Sequence, residues 1–106
     1  MAATPQSLAH EILFISHEMY DHARRGDWPR FGEQESKRRK IIEALFAHPN
    51  TDISFDELAR ILRQVLVIDN KSIALGEQEK QRLSREITDQ KQHQQAAQHY
   101  QCVAMN

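Results

Sequence analysis

Between Phe55 and Asn106 the sequence has no proline and a single glycine, Gly76. Strands average about 5–6 residues and must be separated by turns. A breaker-free run of this length, filled with Leu, Arg, Gln, Glu, Lys and Ala, therefore has one regular solution, a long helix. At 100° per residue Leu58, Leu62, Val65, Ile73, Leu83 and Ile87 form one stripe, with Ile61, Ile68 and Leu75 beside it. The pattern predicts a helix over 55–90, running into a Gln-rich tail over 90–106 that frays. Its start is marked by "ISFDEL": Ser54 as cap, Glu57 as the reciprocal acceptor three residues on, and Ile53 with Leu58 as a hydrophobic staple.

Two shorter helices precede it. Thr4 can cap the first, Pro5 suits its first position, and the pattern runs over 5–25, with Gly26 as a left-handed stop. Leu8, Ile12, Ile15, Met19 and Ala23 share its buried stripe, widened by Leu13 and Tyr20, while Phe14 falls on the far side as a candidate partner contact. In the corner "ARRGDWPRF", Asp27 caps a second helix over 28–46, and Pro29 sits in a first turn where its missing N–H does no harm. Phe31, Ile42, Leu45 and Phe46 share a face of this helix whose centre is polar, held by Glu35 and Arg38. "AHPNTD" ends it.

Three helices joined by short turns run up, down and up. The expected fold is an all-α antiparallel bundle, one domain over 1–106, whose overlong third helix extends about 50 Å against about 30 Å for its partners. A short C-terminal helix is the alternative for the tail. The apolar stripe beyond Gly76 then has little in the chain to cover it, so it requires a partner, a second copy or a folded-back tail.

Charge narrows the function. Fifteen acids against fourteen bases give a net charge of -1, so no positive field gathers phosphate backbones. The one dense basic run, "ESKRRK", reads as a solvated helix face, and "SFDELARILRQVL" lacks the second short helix of a helix-turn-helix. Direct nucleic-acid binding is not expected. Cys102 is the only cysteine, which rules out an intrachain disulfide. With no apolar run long enough to span a bilayer and no signal-like N-terminus, the expectation is a cytoplasmic protein without membrane insertion.

Chemistry-bearing clusters are few. His10 and His17 stand seven apart, and His93 and His99 six apart, neither being the step that sets two imidazoles around one ion on a helix. No phosphate loop or nucleophile elbow occurs, so no catalytic, metal or cofactor site is expected and the chain reads as a non-enzyme. An antiparallel register in which facing residue numbers of helices 2 and 3 add to about 104 sets Ile42 against Leu62, Phe31 against Ile73, Glu35 against Asp69, and Trp28 against Gly76. Facing carboxylates repel and lose hydration, so Arg38, one turn from Glu35, is expected to bridge Glu35 and Asp69 in a structural polar layer. Gly26, Asp27, Trp28 and Gly76 would make a structural corner in which the indole fills the space over the glycine.

The segments "ARRGDWPRFGEQESKRRKIIEALF" and "ILRQVLVIDNKSIALG" resemble the flagellar export chaperone FliT family, whose pattern has Ala-x-x-Gly-(Asp/Glu)-Trp before a helix carrying Glu and apolar pairs, and an Asp-Asn pair in the third helix. The resemblance covers residues 8–90. It implies a chaperone that binds the filament-cap protein FliD, prevents premature assembly and delivers it to the export ATPase complex and export gate. For some members it also implies restraint of the master flagellar transcription activator. Clients would lie on the apolar surface of helices 2 and 3, here expected at Val65, Ile68, Ile73, Leu75, Leu83 and Ile87, with Val65 partly core. The family's further C-terminal helix, which can cover that surface, has little counterpart in "YQCVAMN". Two readings of other classes remain: a homodimeric coiled-coil module using the same surface, and a phosphotransfer domain, for which no histidine has the expected neighbours.

Overall fold

A computed structural model describes residues 4–47 and 53–104. They form three helices, α1 (Pro5–Arg24), α2 (Trp28–Phe46) and α3 (Phe55–Ala104), and no strand occurs among the described residues. The fold is all-α, with α1 and α2 packed together and α3 long. The chain divides into two units, residues 1–75 and 76–106, each described by itself.

The ends of α1 are set by local chemistry. Thr4 Oγ1 accepts from the Ser7 N–H at 3.1 Å, and Ser7 Oγ accepts from the Thr4 N–H at 3.0 Å, a reciprocal cap built with serine in place of the usual Glu or Gln. At the other end the Gly26 N–H donates to the Ala23 carbonyl and the Asp27 N–H to the His22 carbonyl, at 3.1 and 2.9 Å. This paired closure requires a left-handed residue, and Gly26 supplies it with φ of 72°. Asp27 then caps α2, its Oδ1 accepting from the Arg30 N–H at 3.3 Å. Two helices thus meet in a corner whose stop and start share Asp27.

At the start of α3, Ser54 Oγ accepts from the Glu57 N–H at 3.1 Å. The expected reciprocal bond from Glu57 is replaced by a longer-range one, since Glu57 Oε1 accepts from Gln6 Nε2 of α1 at 3.1 Å. Buried Ile53 and half-buried Leu58 lie in one apolar cluster, as the staple requires. Helicity continues past Gln90 through the Gln-rich segment to Ala104. Gln, Lys and Ala are good helix formers, and nothing in that segment breaks the backbone ladder.

Within the first unit α1 is the central element, with Leu8, Ala9, Ile12, Ile15, Ser16, Met19 and Ala23 all buried. Leu8 and Ile12 pack with Leu45 of α2 and Val65 of α3, and Ala9 packs with Ile53 and Ile61. Gln6 reaches Glu57 at one end of this packing, and Ser16 stands near Asp69 through Arg38 at the other, so α1 and this part of α3 run parallel. Gln34 of α2 donates to Glu18, and Arg38 to Ser16, which sets α2 antiparallel to α1.

In the second unit, every described residue from Lys80 to Ala104 is exposed. Its helix is held locally: Arg82 donates to both oxygens of Glu79, at 2.7 and 3.1 Å, and to Glu86 Oε1 at 2.8 Å. These bonds hold the Glu79 carboxyl below the usual carboxylate range and raise the Arg82 guanidinium.

Candidate partner-binding face

Arg38 is the junction of the first unit. Its Nη1 donates to Asp69 Oδ1 at 2.8 Å and Oδ2 at 3.0 Å, and to Ser16 Oγ at 2.9 Å. The Ser16 hydroxyl in turn donates to the Ile12 carbonyl at 2.8 Å. One guanidinium nitrogen therefore touches all three helices. The Arg38 and Asp69 side chains are only 14% and 25% exposed, so the pair is shielded from salt far better than the exposed pairs elsewhere on the chain.

The layer differs from expectation in its second acid. Glu35 Oε1 instead accepts from Arg39 Nη2 at 3.0 Å on the surface. Arg38, about one turn further along α2, reaches Asp69 with its long side chain, while Glu35 lines the same depression as Asp69. Only one carboxylate therefore accepts from Arg38, and the place of the second is taken by Ser16 of α1. Ser16 is fully buried. Its sequence signal is a lone hydroxyl at the centre of the stripe of Ile12, Met19 and Ala23.

Trp28 is half-buried, and its aromatic partner is Phe31 of its own helix, with ring centroids 5.4 Å apart in an edge-to-face arrangement.

Over the polar layer lies a depression of about 250 Å³ lined by Met19, Phe31, Glu35, Arg38, Asp69, Ser72 and Ile73. On its α3 lip Ile73 is 61% exposed, and Leu66, seven residues earlier and hence on the same face, is 59% exposed. Phe55, a further eleven residues back, shares that face and is also exposed, as is Phe46 at the end of α2.

Of the six positions expected to meet a partner, Ile73, Leu83 and Ile87 are exposed and Leu75 is half-buried. Val65 and Ile68 are not available: both are buried in the core of the first unit. Both turn toward the packed side of the unit, Val65 lying in the cluster with Leu8, Ile12 and Leu45. Leu66 and Val67 stand outside in their place. The seven-residue step puts Leu66 on one face with Ile73, but periodicity alone does not say which face of α3 the core covers.

Phe14 is exposed on the far side of α1, and a second depression of about 300 Å³ between α1 and α3 is lined by His17, Gln64, Val67 and Ile68. Among the described residues, no three His, Cys, Asp or Glu side chains are grouped to hold a metal ion, and no helix is long and apolar enough to cross a membrane. Cys102 is an exposed free thiol.

An all-α bundle whose apolar side chains stand in water beside a packed polar junction has the form of a helical protein-binding module. The family model described as Flagellar protein FliT matches residues 6–102, and the chain belongs to that family. Membership supports a role as a flagellar export chaperone that interacts with proteins of flagellar export, in a family not known for catalysis. No curated protein and no solved structure is a significant match.

Proposed function

We propose that this protein is a cytoplasmic chaperone for the filament-cap protein FliD, masking an amphipathic segment of that client and delivering it to the export ATPase complex and gate. The observation that carries this reading is the pair Leu66 and Ile73, about three-fifths exposed on the α2/α3 face, where a chain with no partner would gain nothing by leaving them in water. Anchors at such spacing suit helix-in-groove recognition. The client-binding pair of the first unit is Leu66 and Ile73, and Leu83 and Ile87 are the exposed apolar pair of the second unit. Restraint of the flagellar transcription activator would be competition for the same face.

Calorimetric titration of the full chain with the cap protein from the same genome tests the reading. Micromolar or tighter binding that is lost in Ile73→Asp is expected, and absence of binding to the wild-type chain overturns it.

A second reading rests on Leu83 and Ile87, which are exposed on one face of the second unit and suit a homodimer. Sedimentation equilibrium of the chain alone at micromolar concentration separates the two, since the chaperone reading expects a monomer that forms a heterocomplex.

A further inference from the structure

The polar floor of the α2/α3 depression holds hydrogen-bond donors that the protein leaves unused. Arg38 spends only Nη1 on Asp69 and Ser16, and its Nε and Nη2 hydrogens make no hydrogen bond among the described residues. Ser72 lines the same depression and is 5% exposed, and its hydroxyl has no partner in the protein. A buried hydroxyl left without a partner is costly unless something else satisfies it, and the remaining guanidinium hydrogens beside it are open to an incoming acceptor.

The border of the depression decides what that acceptor is. Asp69 cancels the charge of Arg38, and Glu35 stands beside them with its own pair to Arg39. An incoming carboxylate or phosphate would meet the donors but also two anions, in a site without net positive charge to hold it. A hydrocarbon would cover the donors and leave them unpaired. A carboxamide suffers neither penalty. Its oxygen can accept from Arg38 Nη2 and, once the Ser72 hydroxyl turns into the depression, from Ser72, and its NH2 can donate to lone pairs of Asp69 or Glu35 that remain free, while the carboxamide brings no charge of its own to be desolvated.

We propose that this depression is a socket for the side-chain carboxamide of an asparagine or glutamine on a partner helix, whose apolar residues about one turn away lie on Ile73 and Leu66. The inference rests on the reading of this face as the client-binding face. It adds the polar residue that would fix the client's register, a job that apolar anchors, tolerant of sliding, do poorly.

The test uses the full chain labelled with nitrogen-15, following the Arg38 Nε–H resonance. N-acetylglutamine methylamide, N-acetylleucine methylamide and sodium acetate are added in turn at matched ionic strength. A saturable shift with the glutamine amide alone, several-fold weaker in Ser72→Ala, is expected. An equal or larger shift with acetate would make this an anion site, and no shift with any of the three would remove the socket; either result overturns the proposal. Cap-protein binding measured separately keeps the two ideas apart. A saturable amide response without cap-protein binding would sink the client reading and leave the socket, and cap-protein binding without an amide response would do the reverse.

Discussion

Arg38 and Asp69 are joined across α2 and α3 by a single guanidinium nitrogen that serves both carboxylate oxygens, at 2.8 and 3.0 Å, and Ser16 of α1 besides. Removing the guanidinium strands a partly buried carboxylate and takes away the donor to the buried Ser16 oxygen, whose own bond to the Ile12 carbonyl remains. Arg38→Met is expected to destabilise the fold by about 1–3 kcal/mol, or roughly 4–8 °C of Tm per kcal/mol for a unit of this size. Thermal melting followed by circular dichroism measures it, and an unchanged Tm would show that the junction contributes nothing.

Glu35 makes the contrast. Its only ion pair among the described residues is with Arg39 on the surface, so Glu35→Gln is expected to stay within about 0.5 kcal/mol of the parent. A loss as large as that of Arg38→Met would restore the two-acid bridge that the sequence suggests.

Gly26 has φ of 72° and open space where a Cβ would stand. Gly26→Ala therefore costs backbone strain without a clash, about 1–2 kcal/mol. Chemical denaturation with urea reads this directly, and a neutral substitution would mean that the corner relaxes freely.

Burial separates the exposed stripe from the core. Ile73→Asp, Leu66→Asp and Leu83→Asp should each abolish cap-protein binding while leaving helicity and melting nearly unchanged, because all three side chains already stand in water. Ile68→Asp places an unpaired charge in the core and should unfold the first unit. If Ile68→Asp melts like the parent, the division of α3 into a core side and a binding side is wrong.

Glu79 gives the second unit a local pH dependence. Its carboxyl is held low by hydrogen bonds from Arg82, so its contribution to helix stability is present above the ordinary Glu range and is lost as the pH falls through the lowered value. Side-chain carbonyl NMR should show Glu79 titrating below an ordinary glutamate, and Arg82→Gln should move its midpoint back up.

The three helices were legible because their punctuation is chemical and local: Thr4, Gly26, Asp27 and Ser54 each act within four residues of themselves. The Arg38–Asp69 pairing was legible in kind, since a cation and an acid interrupted two facing apolar stripes. Its partners were not. Periodicity sets Glu35, Arg38 and Asp69 on facing stripes but does not say which neighbour each side chain bonds, and Ser16 of α1 took the place expected of Glu35. For the same reason Ile68 could not be told from Leu66 as an exposed residue: hydropathy ranks both as apolar, and only the angle at which α1 meets α3 decides which one is covered.

Ser16 bears most on how such a chain can vary. In the sequence it looks like the least committed residue of α1, a small hydroxyl among aliphatics that any of them could replace. In the fold it has no exposed surface and lies where three backbones converge on one guanidinium, so a larger side chain would have to push a helix aside and an alanine would leave Arg38 one acceptor short. A redesign that freely resurfaced the exposed end of α3 would still have to inherit this serine together with its arginine, as a unit.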